Sequence, residues 1–143
     1  MKNSRYLLLI VFFLASEAAF SHTCQGRQLI IKNSTSLSFR LETPIDSRLR
    51  FQPTTVLPQT TATGTIGTPN SKGVIAFIFA NKDTYSIDYH YYVTSSGLGE
   101  VCHAWIDPQA GPFSSKNYTH FIHGDPENGE PMWVTLKSQI ENM

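Results

Sequence analysis

The sequence lacks the short motifs that mark common enzyme classes. It has no Gly-x-Ser-x-Gly elbow for a nucleophilic serine, no glycine loop of the kind that cradles phosphate and no His-Glu-x-x-His zinc motif. A serine, histidine and aspartate that meet only in space would leave no such motif. On these absences we expect a protein that is not an enzyme.

Neither sign of charge is in excess, since 11 Lys and Arg residues balance 11 Asp and Glu residues. A neutral chain has no long-range field to attract nucleic acid or an anionic membrane. The composition therefore predicts no nucleic-acid partner. Long stretches of helical periodicity are also missing, which disfavours a helical fold.

A long transmembrane run is absent too, and the one N-terminal apolar run is short. Lys2 and Arg5 precede the apolar residues 6–15, and four of the six residues at 16–21 are small. A membrane-spanning helix needs about 20 apolar residues, so this pattern is typical of a cleavable export signal. We expect residues 1–21 to be a signal peptide and the protein to be secreted or periplasmic.

The cleavage point decides which residue begins the mature chain. Ala19 and Ser21 place small residues at the third and first positions before a cut that leaves His22 as the N-terminus. Cuts after Ala18 or Ala19 are alternatives, and only the cut after Ser21 exposes a histidine amino terminus. The mature residues 22–143 are enough for a single domain.

Cysteine is scarce, with Cys24 and Cys102 the two in the chain. An exported protein meets oxidising conditions, where an even pair usually closes a disulfide. A thiolate metal site would need further cysteines. We therefore predict a Cys24–Cys102 bond.

The mature sequence alternates short β-rich runs with turn residues, which predicts an all-β, single-domain, two-sheet antiparallel β-sandwich. A closed barrel is the alternative. The run 74–79 is apolar throughout and is expected in the middle of the core, covered on both sides, while residues 51–67 are expected as an extended edge or long loop. The predicted strands are 28–32, 36–41, 61–66, 73–79, 84–93, 99–106, 118–123 and 132–137.

The strongest local pattern lies in residues 84–93, where tyrosines alternate with other residues. Tyr85, Ile87, Tyr89 and Tyr91 share one face, and Asp88, His90 and Tyr92 share the other. One interpretation is a core stripe backed by a polar face. In the other, exposed tyrosines stack on a sugar or sit at a membrane interface.

A neighbouring run adds His103 and Trp105, which point outward if Cys102 points inward. Together these residues suggest a non-enzymatic binding protein that recognises a membrane lipid, a glycan or a protein surface. The candidate contacts are Tyr89, Tyr91, Tyr92, His103 and Trp105.

Residues 29–35 (Leu-Ile-Ile-Lys-Asn-Ser-Thr), Pro53, Pro58 and residues 73–77 (Gly-Val-Ile-Ala-Phe) resemble the opening of aegerolysin-type and actinoporin-like secreted β-sandwiches. The resemblance implies a soluble lipid-binding or membrane-active protein. Asn33-Ser34-Thr35 and residues 117–119 are formal N-glycosylation sequons.

The histidines support an alternative function. Asp88 and His90 lie two apart on a strand, and a mature N-terminal His22 could add an amine and an imidazole to a tetragonal Cu(II) site. This set resembles the ligands of the periplasmic CopC-type copper carriers. The leading hypothesis needs no cofactor, whereas this one needs copper. His120 and His123 fall on opposite faces of a strand, which argues against joint coordination by them.

Overall fold

Two five-stranded sheets pack face to face in the computed structural model, which describes residues 23–43, 49–97, 99–108 and 114–139. A 3-10 turn at Pro126–Asn128 lies between the last two strands. The strands are β1 (Gln28–Asn33), β2 (Phe39–Glu42), β3 (Phe51–Gln52), β4 (Thr55–Val56), β5 (Thr61–Thr65), β6 (Ser71–Phe79), β7 (Thr84–Ser96), β8 (Gly99–Pro108), β9 (Tyr118–His123) and β10 (Met132–Ser138).

The first sheet has the strand order β3-β5-β1-β10-β9, and the second has β4-β2-β6-β7-β8. Neighbouring strands are antiparallel except β1 and β10, which run parallel. The predicted two-sheet β-sandwich is therefore confirmed, with one parallel pair in place of a fully antiparallel arrangement. A parallel pair needs a long connection, and residues 34–131 lie between β1 and β10.

All eight predicted strands are present; 118–123 keeps its predicted ends, and the other seven are shifted at one end or both. β2 begins at Phe39 because the chain between Asn33 and Leu37 forms a tight hydrogen-bonded turn. The segment 51–67, predicted as an edge or loop, contains β3 and β4, each two residues long, and also β5, which lies inside the first sheet between β3 and β1. Pro53 lies between them, and proline cannot donate to a ladder, which keeps both strands short.

The core fills the space between the sheets with side chains from alternate positions. Phe39 packs edge-on against both Phe77 and Phe79, and Phe79 stacks on Tyr118 with ring centroids 3.8 Å apart. Such aromatic pairs add to the free energy gained from apolar burial. The rest of the core is mostly aliphatic.

β6 is the middle strand of its sheet, as expected, but its two faces differ. Ile75, Phe77 and Phe79 are buried between the sheets, whereas Val74 and the other outward side chains are only half-buried. The expectation that this strand is covered on both sides is therefore wrong. The outward Val, Ala and Ile side chains of β6 need no further element packed over them, because apolar side chains of this size can lie half-exposed on the surface of a sheet.

Asn33 joins the two sheets through its buried side chain. Its Nδ2 donates to the carbonyl oxygens of Leu37 at 2.8 Å and Val56 at 3.0 Å. Its Oδ1 accepts from the backbone N–H of Thr35 at 2.9 Å and from the Thr35 hydroxyl at 2.7 Å. The Asn33 side chain of the first sequon therefore lies in the interior, and both N–H groups of its amide donate hydrogen bonds within the protein.

Cys24 and Cys102 form a disulfide, as predicted. The bond joins the segment before β1 in one sheet to β8 in the other, and both residues are buried. It is compatible with an oxidising extracellular or periplasmic environment. Within the described ranges, no helix is long and apolar enough to cross a membrane.

Candidate functional site

The outward face of β7 and β8 carries four aromatic side chains, three half-buried and one exposed. β7 contributes His90 and Tyr92, and β8 contributes His103 and Trp105. The ladder register sets His90 opposite Trp105 and Tyr92 opposite His103. Directly opposite residues in an antiparallel pair share a face, so the four rings form one aromatic row.

Ring contacts run along the whole aromatic row. Trp105 meets His90 edge-on with centroids 5.6 Å apart, and His90 lies 5.0 Å from Tyr92. Tyr92 then stacks on His103 at 5.1 Å with an interplanar angle of 24°. Trp105 at the end of the row keeps 42% of its surface exposed. The row therefore presents a preformed indole face to solvent.

A shallow groove of about 340 Å³ lies beside Trp105 on this face. Lys72 and Val74 of β6 and Asp88 and His90 of β7 line it with the indole. A positively charged and a negatively charged side chain, Lys72 and Asp88, thus lie beside the apolar face of the Trp105 indole. Sequence reasoning missed Lys72 and Val74, because only the register of β6 against β7 brings them next to residues 88 and 90.

The His103 ring is held at both nitrogens. Nε2 lies 2.7 Å from the Thr94 hydroxyl, and Nδ1 lies 2.8 Å from Oε1 of Glu127 at the 3-10 turn. A ring engaged on both sides cannot rotate freely and offers a ligand mainly its face. His103 therefore acts as a fixed support for Tyr92.

Two of the five predicted contacts are not on the surface. Tyr89 and Tyr91 are 1% and 0% exposed and lie between the sheets, so their rings are not on the outward face, although Tyr89 is among the residues that line the groove. Alternation along β7 gives them the same face as Ile87, and that face packs on the first sheet. Burial also raises the pKa of the Tyr91 hydroxyl, as expected of a core tyrosine. Tyr92, His103 and Trp105 do lie on the outward face.

No protein-family model matches this chain, and no curated protein matches its sequence. The resemblances to aegerolysin-type proteins and to CopC-type carriers therefore stay predictions, based on the residues quoted for them.

The structure describes two of the three predicted copper ligands. Asp88 and His90 share the outward face of β7 and line the same groove, as their spacing predicts. His22 and the expected signal peptide lie outside the described residues. Among the residues the structure describes, no three His, Cys, Asp or Glu side chains form a group that could hold a metal ion.

The remaining histidines lie on opposite faces of β9, as predicted. The inward His120 accepts or donates a 2.5 Å hydrogen bond with the Tyr85 hydroxyl, and burial lowers the pKa of its imidazole. The outward His123 stacks on Trp133, with centroids 5.5 Å apart and planes 9° apart. These two histidines therefore have separate structural partners and do not meet at one ion.

Proposed function

We propose that this chain is a secreted or periplasmic, non-enzymatic binding protein that recognises a short glycan at the groove beside Trp105. The observation that carries the proposal is the exposed indole, held edge-on by His90 at the margin of a 340 Å³ groove with Lys72 and Asp88. The volume lies at the small end of the range for ligand pockets, about 300–1,000 Å³. A sugar unit or two fits that space.

The chemistry of the groove suits a sugar. A pyranose ring has apolar C–H faces and hydroxyls at its rim, so it can stack on an aromatic side chain while its hydroxyls form hydrogen bonds. The Asp88 carboxylate accepts from such hydroxyls, and the Lys72 ammonium donates to them. His90 can do either, depending on its tautomer.

A lipid surface fits this face less well. Trp105 stands among the charged residues Lys72, Asp88 and Asp107. Burying carboxylates in a bilayer costs free energy, and the other large exposed apolar side chains, at positions 57, 121 and 122, lie on other strands or loops. Secretion or export is supported by the N-terminal signal pattern and by the disulfide.

A glycan array probed with the mature protein tests this proposal, followed by calorimetric titration of the best glycan. Trp105→Ala should weaken binding at least about tenfold, which corresponds to about 1.4 kcal/mol, without unfolding the protein. Asp88→Asn should weaken it less, because an amide oxygen still accepts a hydrogen bond.

Matched controls come from elsewhere on the surface. His123→Ala removes an exposed, aromatic-stacked histidine from the opposite sheet, and Leu57→Ala removes an apolar side chain that is 58% exposed. Neither should change glycan affinity. The proposal fails if no glycan binds above background, if the controls weaken binding as much as Trp105→Ala, or if liposomes or a protein bind the face instead.

A copper site is the second candidate, favoured by the shared exposed face of Asp88 and His90. With a mature N-terminus at His22, we expect tetragonal Cu(II) coordination by the terminal amine, two imidazoles and the carboxylate. His90→Ala, or one residue added ahead of His22, should abolish it. Titration of correctly processed protein that shows no binding tighter than micromolar would reject this function and leave the glycan proposal intact.

A further inference from the structure

The sandwich has four lateral edges, and three of them carry features that discourage pairing with another chain. β3 and β4 are two-residue strands with Pro53 between them. β8 is longer, but it carries exposed carboxylates at Glu100 and Asp107, and its His103 holds the 3-10 turn through Glu127. Short strands, prolines and charges are the usual means by which proteins protect sheet edges.

β9, the fourth edge, has none of these features. Its six residues, Tyr-Thr-His-Phe-Ile-His, include no proline, glycine, lysine, arginine or carboxylate. Phe121 and Ile122 are 52% and 39% exposed, although both are large and apolar. An edge of this kind is a template for strand addition.

The hydrogen-bond pattern shows which backbone groups of β9 face outward. The N–H of Gln139 donates to the carbonyl oxygen of Asn117 at 2.8 Å, so residues 117 and 139 form a bonded pair that extends the ladder of β9 and β10. Bonded and non-bonded pairs alternate in an antiparallel ladder. Tyr118, His120 and Ile122 therefore direct their N–H and C=O groups away from β10, and no other described residue takes these groups.

We infer that β9 pairs antiparallel with β9 of a second copy of this chain, forming a symmetric dimer. A two-fold axis at His120 places Tyr118 of each copy opposite Ile122 of the other. All outward-facing residues are then paired, with roughly six new backbone hydrogen bonds. The inward faces of both copies continue across the junction, because opposite residues share a face.

Side chains on this edge complement a second copy. In this register Lys116 of each copy lies beyond one end of the strand pair, toward the end that carries Gly124 and Asp125 of the other copy, so residues of opposite charge are placed near both ends of the pair. The β9 strands themselves carry no carboxylate or ammonium, and the nearest ammonium, that of Lys137 on β10, lies 5.0 Å from the centroid of the Phe121 ring. The two Phe121 rings become diagonal neighbours on the outward face, within reach of an aromatic contact.

The dimer is independent of the glycan proposal, since the groove lies on the other sheet. A single strand pair is smaller than a standard stable interface, so we expect reversible association with a dissociation constant on the order of 10 µM. Sedimentation velocity of the mature protein from low micromolar to millimolar concentration should show a monomer–dimer equilibrium.

Phe121→Lys should weaken association at least about tenfold, because it places a charge at the centre of the edge. Leu57→Lys adds the same charge at another exposed apolar position and should leave association unchanged. Equal melting temperatures for the two variants would show that the loss is not caused by unfolding.

Hydrogen exchange is a second test, because it distinguishes the outward-facing amides of β9 from those that already bond to β10. Raising the concentration should protect the amides of Tyr118, His120 and Ile122 but leave those of Thr119 and Phe121 unchanged, because these already bond to β10. A protein that stays monomeric at millimolar concentration, a dimer insensitive to Phe121→Lys, or protection confined to another edge would each overturn the inference.

Discussion

Removing the Cys24–Cys102 disulfide should cost this protein much of its stability. The bond closes a loop of 78 residues and joins the segment before β1 to β8 in the opposite sheet. A cross-link of that length lowers the entropy of the unfolded chain, which the chain-entropy model values at about 4.5 kcal/mol. Small domains are stable by only about 5–15 kcal/mol, so the loss is large in proportion.

The same free energy can be expressed as a melting temperature. A domain of this size has an unfolding entropy of about 0.25 kcal/mol/K near its Tm, so Cys24→Ala with Cys102→Ala should lower Tm by roughly 15–20 °C. The unfolded chain also expands without the bond, so the dependence of unfolding free energy on urea should become steeper.

Urea and thermal denaturation followed by circular dichroism measure both effects. The single variant Cys24→Ala is a matched control, since it breaks the same bond and should lose nearly as much stability as the double variant. A loss below about 1 kcal/mol, or free thiols in denatured, unreduced wild-type protein, would refute the reasoning.

Three further substitutions test the interior. Asn33→Ala should destabilise by about 3 kcal/mol, because it leaves buried carbonyl oxygens without donors; an unchanged urea midpoint would contradict this. Tyr91→Phe should be neutral or stabilising by up to about 1 kcal/mol, since its buried hydroxyl has no partner among the described residues; a clear loss would show that a partner exists. Burial lowers the pKa of His120 below its unfolded value of about 6.5, so stability present above that pH should fall as the pH drops toward the folded pKa. Melting temperatures between about pH 5 and 8 should show a smaller fall for His120→Gln than for wild type; equal slopes would exclude His120 as the cause.

Much of the fold could be predicted because strand patterns are local. Alternation in residues 84–93 separates two sets of side chains whatever the rest of the chain does, and all eight predicted strands are present. The disulfide followed from counting, since Cys24 has one possible intramolecular partner. The expected export of the protein to an oxidising environment was the reason to predict that the two cysteines form a disulfide.

The candidate site could be predicted only in part, because alternation separates faces without saying which ligand groups meet. Tyr92, His103 and Trp105 lie on the outward face, but Tyr89 and Tyr91 were placed in the same set although they share the opposite, buried face. Lys72 had no distinguishing signal. It enters the groove through the pairing of β6 with β7, which joins residues far apart in the chain.

The amino-acid sequence by itself determined where eight of the ten described strands form, which residues share a face and which cysteines can pair, because these depend on a period of two residues and on composition. The tertiary structure decided which face of β7 is buried, how β1 comes to lie parallel to β10, and why Asn33 is interior. It also placed β9 at the edge of its sheet, where no other described strand pairs with it. These features depend on pairing between strands that are far apart in the chain and on the packing of one sheet against the other. The strand patterns in the sequence permit several registers and either buried face, and the summed free energy of the long-range contacts selects one of each.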